Sequence, residues 1–296
     1  MAVLKPYKND EYIWKYLPSI PAAAIFTALF FIGGVLVSIR MVRTSTYFVI
    51  PFLLGAIFEC VGYIFRIVGY FDTSALAPFI VQSLLLLVAP ALYAASIYMV
   101  LGRIIRYVRG EQYSIIRVKW LTKIFVTGDI VSFLVQGAGG GSSASTSEDA
   151  SDKGNTLIIV GLVIQIVLFS FFAVTAVVFH IRVRKAREPM RWNTEVKWES
   201  LLYMLYATSI LILIRSVFRL IEWVQGEDGY LLSQEWPLYI FDALLMWAAT
   251  MVFWWWYPAG ITGSVGDVET ESLDDNVPMT THKIPSRGST AYYSRN

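Results

Sequence analysis

Cysteine and histidine are almost missing from this chain: Cys60 stands alone, and the only histidines are His180 and His282. One thiol forms no intrachain disulfide, and so thin a supply of soft ligands leaves no multi-thiolate or histidine-based zinc site to expect. A zinc-dependent membrane hydrolase is therefore not expected, and no cofactor is. Charge is also scarce, at 16% of residues against about a quarter in ordinary soluble domains. No G-x-x-x-x-G-K-[ST] stretch occurs, so the phosphate loop of nucleotide-driven pumps is missing. The last apolar run holds no lysine for a retinal Schiff base. The formal net charge is +2, and no basic cluster interleaves with aromatics as on a nucleic-acid surface, so no nucleic-acid partner is expected. The N-terminal residues lack a cleaved leader's layout: charged, tyrosine-rich sequence precedes the first apolar run, which is expected to stay as an anchor.

Apolar residues, by contrast, make up 56% of the chain, and the mean hydropathy is +0.56. Runs of roughly 20 residues, enough to cross about 30 Å of hydrocarbon as helices, fall at 19–39, 46–69, 77–102, 121–140, 157–180, 201–221 and 237–257. The expected fold is all-α: a polytopic membrane protein with a seven-transmembrane-helix bundle over 19–257. Short connections leave no room for a soluble catalytic domain. Lys and Arg set the orientation, because cytoplasmic loops carry their excess. Connections after the first, third and fifth runs, with their flanks, hold fourteen of them, from Arg40 to Lys197; those after the second, fourth and sixth hold Lys153 alone. The N-terminus, residues 1–18, is expected outside and the C-terminus in the cytoplasm, with residues 258–296 a polar, disordered tail. Gly137 to Gly154, GAGGGSSASTSEDASDKG, reads as a flexible outer loop.

A charged side chain at the centre of a spanning helix costs roughly 2.5–3.5 kcal/mol, so such residues face partners or a wet cavity. In the second run Glu59, Tyr63 and Arg66 follow i, i+4, i+7 and share one helix face. Seven residues separate Glu59 from Arg66 by about 10 Å along the axis, so each needs a partner on another helix. The fourth run repeats the theme with Asp129, Ser132 and Gln136, the sixth with Arg215, Arg219 and Glu222, and Asp242 opens the seventh. Gln82 and Gln165 add uncharged polar groups. These residues are expected to converge on a polar pocket open toward the outer side, floored at mid-membrane by Glu59 and Asp129. Acids there suit a cationic amine, and the arginines suit a phosphate. Interhelical bonding that merely fixes the bundle is the competing reading of each pair. Pro90, within VAPALYAASIY, is either a hinge or a packing notch in the third run.

Glu59–Gly62–Tyr63–Arg66, Gln82 with Ala89–Pro90 and Tyr98, Asp129 with Gln136, Gly161–Leu162 with Gln165, Arg215–Phe218–Arg219–Glu222, and Glu235 with Tyr239, Phe241 and Asp242 together carry a resemblance. The chain resembles the fungal lipid-translocating exporter family, seven-span proteins named for 7-aminocholesterol resistance. The resemblance implies a multi-pass protein, not an enzyme, associated with transport of, or resistance to, amphiphilic lipids such as a sphingoid base or sterol-like compound. Membrane lipids are the implied partners, the plasma membrane is the expected location, and no cytoplasmic partner is specified. The alternative function is a seven-helix lipid-sensing receptor that binds such a ligand without moving it.

Overall fold

The computed structural model describes residues 16–71, 73, 75–143, 148–186, 198–226, 229, 231 and 234–261. The expected extracellular segment 1–18 lies mostly outside these residues, and the expected tail almost wholly so. The described residues contain no strand and form seven long helices. They are α1 (Ile20–Thr44), α2 (Ile50–Phe71), α3 (Leu76–Tyr107), α4 (Val118–Ser143), α5 (Glu148–Lys185), α6 (Trp198–Val224) and α7 (Trp236–Trp255). Each overlaps one of the expected runs, usually with a further turn of polar sequence at one or both ends. All but α4 are long and apolar enough to span a membrane; α4 is diluted by Asp129, Gln136 and a glycine-rich end.

One expectation fails. Most of the stretch read as a flexible outer loop is helical: 137–143 end α4 and 148–154 begin α5, leaving 144–147 between them. Within the stretch Gly139 lets α4 and α5 approach, as Gly128 and Gly161 do outside it. A Cβ on Gly139 would stand 2.7 Å from the Gly154 carbonyl, one on Gly161 2.6 Å from Gln136 Cγ, and one on Gly128 2.4 Å from a Leu168 methyl. Small residues at such contacts let helix backbones pack tightly in a bilayer.

Sequential helices pack side by side, α7 closes back onto α1, and α3 crosses the middle to meet α6. Helices α1, α2, α3, α6 and α7 thus surround one interior, with the α4–α5 pair attached beside it. The burial pattern inverts that of a soluble protein. Phe31, Val42, Leu134 and Val167 lie exposed on the rim, while Glu59, Arg66, Arg215 and Asp242 are buried. An apolar exterior around charged groups suits hydrocarbon as solvent.

Candidate functional site: a buried polar column

At one end of the bundle Arg66 of α2 is tied, among the described residues, to Glu235, Tyr16 and Tyr239. Its Nη2 donates to Glu235 Oε1 at 2.9 Å and to the Tyr16 hydroxyl at 3.0 Å, and its Nε donates to the Tyr239 hydroxyl at 3.1 Å. Glu235 accepts from Tyr239 as well, at 3.1 Å, and from the Ser19 backbone N–H at 2.8 Å. That N–H is one of the unpaired donors at the start of α1, so a single carboxylate both caps α1 and answers the arginine.

Further in, Tyr63 packs its ring against Phe30 and Tyr239, at centroid distances of 5.9 and 6.1 Å. Beside it Asp242 bridges two arginines of α6. One oxygen pairs with Arg215 and the other accepts from Arg219 Nη2 at 3.2 Å, while Arg219 Nη1 reaches Glu222 at 3.0 Å. Asp242 lies in a π-helical segment of α7, Tyr239–Leu244. Such widened turns recur at functional sites.

Arg215 has a second partner whose availability depends on a proline. Its Nη2 donates to the Leu86 carbonyl of α3 at 2.7 Å. In an unbroken helix that carbonyl would accept the N–H four residues on, but residue 90 is Pro90, which has none. The proline frees an acceptor in the bundle interior and the guanidinium occupies it.

Glu59 is fully buried, and neither of its carboxylate oxygens has a hydrogen-bond partner among the described residues. Asp242, Arg215, Arg219 and the Tyr93 hydroxyl lie within electrostatic reach. The Tyr63 hydroxyl and Gln82 Oε1 are likewise buried without a partner. Gln82 sits one turn before Leu86 on α3. Past Glu59, Tyr93 meets Thr250 of α7 at 2.9 Å. There the column stops. Phe52 lies stacked between Tyr93 and Phe253, with centroids 4.2 and 4.0 Å away, and separates the column from the Thr46–Tyr257 contact at the far end.

The structure therefore brings Glu59, Tyr63, Arg66, Arg215, Arg219, Glu222 and Asp242 into one interior, with Gln82 on the α3 wall. It places Asp129, Gln136 and Gln165 elsewhere. Asp129 accepts from Tyr98 of α3 at 2.9 Å, and Gln136 donates to Gln165 at 3.1 Å across the α4–α5 contact. No described hydrogen bond or ion pair links that set to the Arg66–Glu235 or Arg215–Asp242 pairs. A cavity of about 390 Å³ at the start of α4, lined by Glu111, Arg117, Val118, Lys119 and Trp120, includes no member of either group. Glu235, Tyr239, Tyr93 and Thr250 join the column without having been singled out as site residues. The signal for the first two was their spacing, since Glu235, Tyr239 and Asp242 repeat the i, i+4, i+7 pattern of α2.

A multi-pass helical membrane protein with a charged, internally paired interior is the class that this architecture defines. Residues 52–264 match the RTA1 like protein family, and the chain belongs to it. Protein RTM1 of Saccharomyces cerevisiae is 43% identical over 212 residues, covering 72% of this chain and 68% of that one. Protein RTA1 of the same species is 36% identical over 83% of this chain and 84% of its own. The yeast sphingoid long-chain base transporter RSB1 is 28% identical over 81% of this chain and 72% of its own. No solved structure matches.

Proposed function

We propose that this chain is a seven-span translocator of amphiphilic lipids, sphingoid base-like or sterol-like, that acts at the plasma membrane in resistance to toxic amphiphiles. Its N-terminus lies outside, 19–257 form the membrane domain, and 258–296 are a cytoplasmic tail. Helix α4 counts as the seventh span, since 26 residues extend about 39 Å. One observation carries the reading: a column of polar and charged side chains runs from Glu235 at one end of the bundle to Glu59 deep inside it. Groups of this kind inside a membrane mark substrate paths when they face an interior. The head group enters among Glu59, Tyr63, Arg66, Gln82, Arg215, Arg219, Glu222 and Asp242 while the chain stays in lipid. Asp129, Gln136 and Gln165 order the neighbouring α4–α5 pair. The similarity to a sphingoid base transporter supports the substrate class.

The test is translocation of a labelled sphingoid base across proteoliposomes, comparing wild type with Glu59→Gln and Arg66→Ala at equal reconstitution. Flux falling at least fivefold in both variants is expected. Saturable binding with no protein-dependent flux in the wild type would overturn translocation and identify a lipid-sensing receptor instead.

A further inference from the structure

Among the described residues the charge along the column is unbalanced. Arg66 and Glu235 cancel. Below them three carboxyl groups, Glu59, Glu222 and Asp242, face two guanidinium groups, Arg215 and Arg219. Both arginines are engaged, Arg215 by Asp242 and the Leu86 carbonyl, Arg219 by Asp242 and Glu222. Glu59 is the surplus acid: neither of its oxygens has a hydrogen-bond partner among the described residues, and neither has the Tyr63 hydroxyl on the same helix face. A buried carboxyl that forms no ion pair or hydrogen bond of its own, the two nearby guanidinium groups being committed to Asp242 and Glu222, has its charge completed from outside the protein. Only a proton or a cationic ligand does so.

We propose that Glu59 is the coupling site of a one-for-one exchange, in which a lipid head-group cation and a proton occupy the same carboxyl in turn. When the column is empty Glu59 holds the proton. The arriving ammonium takes its place, and the proton leaves to water on the face from which the cation entered. After the cation is released on the opposite face, a proton from that face refills Glu59. One positive charge crosses in each direction and the cycle moves no net charge. The groups facing Glu59 are Arg215 and Arg219 from α6, Asp242 from α7, Tyr93 from α3 and, on its own helix, Tyr63. The two arginines keep a second cation out once Glu59 is filled. Below it the Tyr93–Phe52–Phe253 stack separates the site from the far face, the separation that alternating exchange needs. This inference rests on the translocator reading and adds to it the driving force.

The experiment uses the full chain in proteoliposomes containing a trapped pH dye. The substrate is an N,N,N-trimethylated sphingoid base, whose fixed charge prevents it from carrying protons by itself. Uptake should move one proton out for each lipid taken in. An acid interior, one pH unit below the outside, should concentrate the cation up to about tenfold, and an imposed membrane potential without a pH gradient should not. Glu59→Asp should retain the response to the gradient. Lipid flux driven by potential but indifferent to the pH gradient would overturn the exchange and leave the translocator standing. Absence of wild-type flux of both the trimethylated and the unmodified base would remove both, and flux of the unmodified base without any counter-movement of protons for the trimethylated one would remove the exchange alone, so the two failures are distinguishable without any variant that must fold.

Discussion

Arg66 shows what a single side chain does here. It is 1% exposed and its partner Glu235 18%. Removing one member of a buried ion pair costs roughly 3–5 kcal/mol because the other is left uncompensated, and the residual exposure of Glu235 sets Arg66→Ala toward the low end. Thermal unfolding in detergent should show the loss, and Arg66→Ala combined with Glu235→Ala should lose less than the two single changes summed. The sequence made the need for partners legible, since Glu59, Arg66, Arg215 and Asp242 stand in membrane-length apolar runs. Which partner each takes was not legible. Arg66 and Glu235 are 169 positions apart, and nothing local in either segment encodes a contact across that distance. Asp129 carries the same charge as Glu59 within an apolar run, yet it accepts from Tyr98 of α3 and takes no part in the Arg215–Asp242 pairing.

At the scale of the helix, proline and glycine act through what they lack. Pro90 lacks an N–H, and the Leu86 carbonyl so released holds Arg215. Pro90→Ala restores the helical hydrogen bond and withdraws that acceptor. The expected result is a variant no more stable than wild type despite the better helix former, by differential scanning fluorimetry, because a buried guanidinium donor is left unmet at about 1–3 kcal/mol. The glycines of α4 separate by position. Gly140 has nothing within 4 Å of an added Cβ, whereas Gly139 faces α5. Gly140→Ala should be neutral or stabilising by up to about 1 kcal/mol, and Gly139→Ala destabilising, in the same unfolding assay. Composition suggested a loop because glycine and serine favour flexible chain in water. At Gly139 the facing helix uses the missing side chain as contact surface, whereas Gly137, Gly140 and Gly141 meet nothing.

For the whole molecule, the hydropathy pattern was enough to place all seven helices, because burial in hydrocarbon demands long apolar runs whatever the tertiary contacts are. The closure of α7 onto α1 and the meeting of α3 with α6 had no such signature. They depend on side-chain shape and on polar pairs that only the assembled bundle shows. Those features make the interior a product of the first three helices and the last two. The orientation proposed above predicts that a C-terminal epitope tag on intact cells resists external protease and antibody until the membrane is permeabilised, whereas an N-terminal tag is accessible.

The long reach between Arg66 and Glu235 also has a consequence for how the chain is made. Helix α2 leaves the ribosome with Glu59 and Arg66 well before α6 and α7 exist to meet them. During that interval Arg66 lacks Glu235 and Tyr239, and a charge held at the centre of the hydrocarbon bears an insertion penalty of roughly 2.5–3.5 kcal/mol. Membrane insertion must therefore hold α2 near water or accessory protein until the final helix arrives, and a chain stopped before α7 should remain a substrate for quality control however well its first six helices are formed.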